Sequence, residues 1–524
     1  MAYRAQQLTP ATLAGVGVAA GLFCLCAGTL GVVALWAQGP VELKSADFAA
    51  IRFTVTQAVI SAILSAALAI PLARALARHR FPGRALMVTL LGAPFILPVI
   101  VAVLGLLAVY GRGGIVSQAL EPLGLGPLNI YGLPGVVLAH VFFNLPLATR
   151  LILLGWHAIP AEHFRLAAQL GMGPREVARW LERPMLRSVL PGVLATVFLL
   201  CIASFAVALT LGGGPRATTV ELAIYQAFRF DFDLGKAATL ALVQFVLSLA
   251  AAMAAWRFAR PGGFGTGLDT PIRRWDRQTG AGLAGDVAIL FFSAAFVLLP
   301  LVMILWRGVV PMLSLPMVVY LAALRSVLVA LASAGLALAM GLCLSLAIAR
   351  LENRRRLGAG VLESAGYLSI AASPMVIGTG LFIVVFPLVD PARVALPLIT
   401  LVNALMSLPF LLRVLIPAVR EVETGYGRLS SGLGIHGTSH FRLILWPRIR
   451  PAAGFATGLA AALSMGDLGV VALFAEPDRA TLPLMIYRLM GAYRMDMANG
   501  AALLLVIVSV LMFRFFERSG RRDA

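Results

Sequence analysis

The chain has few charged residues for its size. Charged side chains make up 12% of its 524 residues, hydrophobic ones make up 60%, and the mean hydropathy is +0.93. A soluble globular domain carries about a quarter charged residues. This shortage excludes an ordinary soluble fold and indicates a protein built largely from membrane-spanning segments.

Lysine is almost absent, and the sequence around the two lysines excludes a P-loop nucleotide site. A P-loop needs a lysine that follows glycines and precedes Ser or Thr, because these groups cradle the phosphates. Lys44 lacks the glycines, and Lys236 is followed by Ala237. Any ATP-driven work therefore requires a separate subunit.

Cysteine is scarce, and no metal-binding pattern is convincing. The four cysteines all lie inside apolar runs, where a thiol behaves as a small hydrophobic group: Cys24, Cys26, Cys201 and Cys343. His436 and His440 have the spacing of a zinc helix but no catalytic glutamate between them. We expect no disulfide framework, no metal and no cofactor bound by this chain.

Long apolar runs are what the sequence does contain. Each is long enough to cross a bilayer, and they lie at 11–37, 53–77, 86–110, 132–156, 188–210, 236–258, 284–306, 323–349, 361–388, 393–417, 449–474 and 497–516. They predict an all-α membrane protein with about twelve transmembrane helices. The first run is too long for a signal-peptide core, so we expect it to be retained.

The basic residues are concentrated in alternate loops. The net charge of +19 could suggest nucleic acid, but no soluble module remains to read a groove. The positive-inside rule instead predicts a multi-pass protein of the bacterial inner (cytoplasmic) membrane with both termini cytoplasmic. Topology and membrane lipid headgroups account for the arginines, and we expect no nucleic-acid partner.

A duplicated segment shows that the chain has two related halves. Gly171 and Pro184 are 13 residues apart, and Gly434 and Pro447 repeat this spacing 263 positions later. Each half has six predicted spans, so the copies are parallel repeats with a transport route expected at their interface. The predicted boundaries are residues 1–259 and 283–524, joined by a Gly- and Pro-rich cytoplasmic linker at 260–282.

The duplicated segment has the pattern of a helix-turn-helix. Residues 160–170 predict a short helix, Gly171 to Gly173 predict a turn, and Pro174 suits the start of a second helix. One interpretation is an amphipathic hairpin in the headgroup layer. The other is a pair of docking surfaces for two partner subunits, which the duplication favours.

This segment resembles the coupling loop of binding-protein-dependent ABC importer permeases. The family pattern is Glu-Ala-Ala, two residues, Gly, nine residues, then Ile-x-Leu-Pro; here leucine replaces the glutamate in both copies, and serines replace the alanines in the second. The resemblance implies ATPase-coupling residues Leu166, Ala167, Ala168, Gly171, Pro184, Leu429, Ser430, Ser431, Gly434 and Pro447. It also implies two copies of an ATPase subunit that use the ATP, a periplasmic substrate-binding protein, and no enzymatic activity in this chain.

Within the family, the chain is similar to the fused permeases of thiamine and thiamine pyrophosphate importers. The stretches that carry the likeness are residues 72–76, 80–84, 109–112, 140–146 and 211–219. The resemblance implies thiamine as substrate. Another small solute, such as ferric iron or a polyamine, is an alternative; a secondary transporter driven by protons or sodium is a less favoured one, and a scaffold protein a distant third.

Polar residues inside the spans are candidates for the substrate pathway, because a polar group in a membrane helix usually faces a cavity or a partner. Asp467 offers a counter-charge to a cationic thiazolium, or it pairs with an arginine such as Arg479. Weaker candidates, which helix packing alone can also explain, are Ser464, Ser204, Asn144, Gln244 and Asn403. The loops at 212–216 and 476–479 are either contacts for a binding protein or solvated turns.

Overall fold

The protein is all-helical wherever its structure is described. The structure is a computed structural model that describes residues 10–37, 43–79, 81–91, 97–124, 126–258, 281–352, 356–391, 393–474 and 479–521. Within these ranges every regular element is a helix, which confirms the predicted fold class. The predicted linker at 260–282 lies almost entirely outside the described residues.

The described residues of the first half form twelve α-helices. They are α1 (Pro10–Trp36), α2 (Ser45–Arg78), α3 (Arg84–Leu90), α4 (Val99–Tyr110), α5 (Ile115–Leu120), α6 (Leu133–His157), α7 (Ala161–Gln169), α8 (Pro174–Val177), α9 (Arg183–Ile202), α10 (Phe205–Leu211), α11 (Val220–Arg229) and α12 (Leu234–Phe258).

The described residues of the second half form ten α-helices in the equivalent order. They are α13 (Ala281–Met312), α14 (Met317–Glu352), α15 (Arg356–Ala371), α16 (Pro374–Val385), α17 (Ala395–Gly432), α18 (Gly437–His440), α19 (Trp446–Met465), α20 (Gly469–Phe474), α21 (Leu482–Gly491) and α22 (Met495–Arg521).

Ten described helices are long and apolar enough to cross a membrane, or eleven if the bent pair α15–α16 forms one span. The predicted ninth span, 361–388, is therefore broken, because Pro374 has no N–H to continue a helix. The predicted eleventh span, 449–474, extends over α19, the break at Asp467 and α20. α19, whose beginning contains two prolines and two arginines, is not among the candidate spans.

The helices of the two halves pack in the same pattern. In the first half α2 contacts α6 and α9, α6 contacts α9, and α9 contacts α12. In the second half α14, α17, α19 and α22 make the equivalent contacts. The duplication seen in the sequence is therefore also a duplication of tertiary structure.

The first helix of each half packs against the other half. α1 contacts α14, α15 and α16, and α13 contacts α2 and α4. Glycines permit the close approach: a Cβ atom on Gly105 would lie 2.8 Å from the carbonyl oxygen of Pro300, and one on Gly380 would lie 2.8 Å from that of Thr29. The two halves are thus interlocked by an exchange of helices.

Tyr225 and Tyr487 lie at equivalent positions of α11 and α21. Burial raises the pKa of Tyr487, and the charge of Tyr225 in the other half raises it further.

Candidate functional sites

Two repeated segments, residues 161–184 and 424–447, form the first candidate site. In the first, the N–H of Met172 donates to the carbonyl of Ala167 at 2.9 Å, and the N–H of Gly171 donates to Ala168 at 3.1 Å. Gly171 has a φ of +65°. These features define a Schellman C-cap, in which glycine occupies the left-handed position at low cost.

The second repeated segment has the same cap. The N–H of Ile435 donates to Ser430 at 2.9 Å, and Gly434 has a φ of +70°. A π-helical turn follows in both copies, at Ala178–Glu182 and at Phe441–Leu445. The predicted turn is confirmed, and Pro174 does begin α8.

The predicted short first helix exists in only one copy. Pro160 separates α6 from α7, because proline cannot donate the hydrogen bond that would join them. Glu423 occupies the equivalent position in the second copy, and α17 continues through it over 38 residues. The short helix predicted at residues 160–170 is therefore confirmed, but it has no separate counterpart in the second segment.

The coupling residues named from the sequence divide by exposure. Ala167 is buried, Ser430 is nearly so, and each packs its segment against the helices behind. The remaining members face outward: Leu166, Ala168, Gly171, Pro184, Leu429, Ser431, Gly434 and Pro447. Ser431 donates its hydroxyl to the carbonyl of Gly427 at 2.8 Å, so this replacement for alanine is satisfied within its own helix.

Each repeated segment exposes a matching apolar triplet. Leu166, Leu170 and Trp180 in the first correspond to Leu429, Leu433 and Leu443 in the second, and all six side chains are 55 to 67% exposed. Exposed apolar groups clustered in this way mark an interaction surface. Leucine at the position of the family glutamate thus contributes apolar area to that surface.

The two segments are anchored by different chemistry. The buried Glu182 carboxylate accepts from Arg74 at 2.9 Å and from the fully buried Arg78 at 3.2 Å, which fastens the first segment to the end of α2. Its counterpart is Leu445, which packs in an apolar cluster with Val419. At this position an ion pair holds the first segment and hydrophobic packing holds the second, although Arg350 of α14 also pairs with Glu423, one residue before the second segment, at 3.8 Å.

The second candidate site lies where equivalent helices break. Ser204 separates α9 from α10, and Asp467 separates α19 from α20 at the equivalent position. Oδ1 of Asp467 accepts the N–H of Gly469, the first residue of α20, at 3.2 Å. Ser204 makes no side-chain cap. Asp467 is thus held by a helix N-terminus, where an anion is stabilised.

Glu221 was missed from the sequence, and it brings a second carboxylate to this region. It is 1% exposed, and it accepts hydrogen bonds from the Ser373 side chain and from the backbone of Phe205, the first residue of α10. Burial raises the pKa of Glu221 to about 7, although the two hydrogen bonds lower it. Both equivalent breaks therefore hold an acid at a helix N-terminus, although the acids come from different sequence positions.

The two helix breaks lie close to each other across the halves. A Cβ atom on Gly469 would lie 3.6 Å from the Phe205 ring and 3.8 Å from Oδ1 of Asp467. Among the described residues, neither Oε1 of Glu221 nor Oδ2 of Asp467 has a hydrogen-bond partner. The Asn403 side chain and the backbone of Val470 and Val471 also interact with the Asp467 carboxylate, which brings the predicted pathway residues Asn403 and Asp467 together.

Aromatic rings surround this acidic region. Phe205 lies edge-on to Tyr225 with centroids 5.4 Å apart. Across the interface, Phe228 meets Phe382 at 4.1 Å, and Phe382 is 5.8 Å from Phe474. Acids with aromatic faces nearby suit an organic cation.

The other predicted pathway residues lie in helix contacts within each half. Asn144 donates to the thiol of Cys201 at 3.3 Å. Asn403 donates to Ser464 at 3.0 Å, and the Ser464 hydroxyl donates to Ser333 at 3.3 Å. Gln244 donates to the carbonyl of Ile202 at 3.2 Å. These bonds satisfy buried polar groups between helices.

Arg479 is exposed and donates to the carbonyl of Arg393 at 3.3 Å. The predicted loop at 476–479 lies largely outside the described residues. The described His436 is exposed and His440 is buried, and the described residues hold no group of three or more potential metal ligands.

Comparison with known proteins identifies the family. The chain is 39% identical over 539 aligned residues to the "Thiamine transport system permease protein ThiP" of Brucella abortus (strain 2308), covering all of this chain and 98% of the relative. It is 38% identical to the protein of the same name from Escherichia coli (strain K12), covering 99% of it.

A more distant similarity, 28% over 204 residues, is to the "Sulfate transport system permease protein CysW" of Synechocystis; it covers 38% of this chain and 73% of that one. No protein-family profile matches the chain. Full-length identity near 39% is decisive on its own, and the chain belongs to the family of thiamine transport system permease proteins.

Proposed function

We propose that this chain is the transmembrane permease subunit of an ABC importer that carries thiamine and thiamine pyrophosphate into the cytoplasm. The observation that carries the proposal is the full-length similarity to permeases named for thiamine transport. The chain performs no covalent chemistry itself, because ATP is hydrolysed by a separate subunit.

Two copies of that ATPase dock on the two repeated segments. The repeated Schellman caps and the matching apolar triplets support this, because two identical partners require two similar surfaces. The segments face the cytoplasm, and both termini lie on the same side. A periplasmic binding protein docks on the opposite face, where residues 212–216 lie.

The substrate passes between the two halves beside Glu221 and Asp467. Thiamine carries a positive thiazolium ring, and a buried carboxylate offers a cation a strong charge-assisted contact. Phe205 and Tyr225 supply aromatic faces beside Glu221. The available oxygens of the two acids support this placement, as does their position between the halves.

A secondary transporter is the weaker alternative, because it has no need of two docking surfaces. Among ABC substrates, a polyamine would also be drawn to the acids, whereas the aromatic rings favour a flat cation.

The test is uptake into proteoliposomes that contain this chain, its ATPase and its binding protein. We expect accumulation of labelled thiamine that needs ATP and the binding protein, with excess spermidine failing to compete. Accumulation driven by a proton or sodium gradient without ATP would contradict the importer, and spermidine competition would contradict the substrate.

A further inference from the structure

A basic cavity of about 560 Å³ lies between the end of α2 and the first repeated segment. Its lining consists of Arg74, Pro174, Arg175, Ala178, Arg179 and Arg183. Four of these six residues carry a guanidinium group. Such a concentration of forked donors suits the phosphate group.

The acids near the cavity are already engaged. Glu182 binds Arg74 and Arg78, and Glu176 accepts the N–H of Gly173 at 2.8 Å in its own turn. Among the described residues, no ion pair joins Arg175, Arg179 or Arg183 to a carboxylate. Among the residues that the structure describes, the cavity thus has an excess of positive charge without a matching carboxylate.

The cavity lies at the boundary of the apolar spans. Arg74 is one turn before the end of α2, and Arg183 begins α9, and both helices belong to candidate spans. Trp180 is 60% exposed beside the cavity, with the Arg179 guanidinium 5.4 Å from its ring. Tryptophan and arginine together are typical of the headgroup layer.

The second half has lost this cavity's charge. The residues equivalent to Arg74, Arg175 and Arg183 are Leu346, Thr438 and Trp446, and only Arg179 has a basic counterpart, Arg442. If two identical ATPases dock on the two segments, as proposed above, arginines needed for docking would be present in both. Their restriction to one copy points to a ligand other than the ATPase.

We propose that this cavity binds the phosphate group of an anionic phospholipid headgroup. Because each basic residue near an anionic surface adds attraction, loss of one arginine weakens such binding roughly fivefold. The bound lipid would also steady the first repeated segment, which Glu182 connects by charge to α2.

The test compares the full chain in nanodiscs of phosphatidylcholine alone and with added phosphatidylglycerol, with retained lipid measured by native mass spectrometry. We expect phosphatidylglycerol to remain on the native chain and to bind the R175Q/R183Q variant roughly 25-fold more weakly. The matched control R442Q, in the second segment, should retain the lipid. The R175K/R183K variant preserves both charges and should keep part of the binding. It thereby shows whether the loss of binding in R175Q/R183Q comes from lost charge or from misfolding.

Three results would overturn the proposal. Equal retention of phosphatidylglycerol by R175Q/R183Q and the native chain would remove the site. Inorganic pyrophosphate that stabilises the chain in phosphatidylcholine alone, while phosphatidylglycerol fails to compete, would assign it to a free phosphate compound. Loss of ATPase copurification with unchanged lipid retention would assign the arginines to the ATPase.

Discussion

At the scale of single residues, two buried carboxylates lie at the equivalent helix breaks. Each lies against the N-terminus of a short helix, α10 or α20, whose unpaired N–H groups stabilise an anion. The arrangement keeps a negative charge between the halves at moderate cost. It also leaves one oxygen of each acid for a cation.

We predict that Glu221→Gln and Asp467→Asn each reduce thiamine uptake about 10- to 100-fold, because a charge-assisted contact contributes about 1.5 to 3 kcal/mol. Uptake in proteoliposomes measures this. The exposed Asp496→Asn is the matched control and should transport normally. Normal uptake by both acid variants would exclude these residues from the pathway.

The same glutamate gives a pH dependence with a defined sign. Burial raises the pKa of Glu221 from 4.5 to about 7, so the folded state binds more protons than the unfolded state between these values. Stability therefore falls as the pH rises through this window, by up to roughly 3 kcal/mol.

Glu221→Gln should consequently raise the melting temperature at pH 8 and leave it nearly unchanged at pH 4, as measured by thermal unfolding in detergent. Uptake by the native chain should fall as the pH drops below about 7, whereas the residual uptake of the variant should not. A variant that is less stable at pH 8 would show instead that Glu221 holds the fold together.

The sequence identified one of these acids and not the other, for a physical reason. Asp467 interrupts an apolar run, where a carboxylate is energetically unfavourable and therefore stands out in the sequence. Glu221 lies in the short α11, outside the predicted spans, and the equivalent residue is Pro483. Its burial arises from packing against helices of both halves, which a local pattern does not record.

At the scale of elements, the repeated segments show how one sequence pattern produces two structures. Glycine spacing predicted the turn in both copies, and the left-handed backbone of Gly171 and Gly434 explains why. Pro160 ends α6 before the first segment, whereas no proline lies at the equivalent position before the second. Because Glu423 can donate its backbone N–H, α17 continues through this position as a single helix.

We predict that Gly171→Val and Gly434→Val each weaken ATPase copurification, because a β-branched residue disfavours a positive φ by at least 1 to 2 kcal/mol. Open space surrounds both glycines, so the effect comes from the backbone and not from a clash. Gly173, with a φ of −79° and similar space, provides the control: Gly173→Val should copurify normally. Equal effects at all three positions would contradict the role of the cap.

At the scale of the whole molecule, the sequence predicted two parallel halves but not their interlocking. Apolar periodicity locates a membrane helix without recording its neighbours, since lipid and protein interiors are similarly apolar. The exchange of α1 and α13 is visible only in the packing at glycines such as Gly105 and Gly380.

We predict that residues 1–259 and 283–524, expressed as separate chains in one cell, assemble and restore thiamine uptake. Each half alone should be degraded, because its first helix lacks the surface that it packs against. Omitting residues 1–36 from the first chain should abolish assembly, as measured by copurification of the halves. Stable accumulation of either half alone would contradict the interlocking.

The exchanged helices also set an order for biogenesis. α1 ends at Trp36, whereas its packing surface on α14 begins at Met317, so most of the first half leaves the ribosome before α1 has its final neighbours. During synthesis α1 must therefore stay in contact with lipid or with an insertion factor until the second half has been synthesised. The first element to be translated is thus among the last to reach its native place.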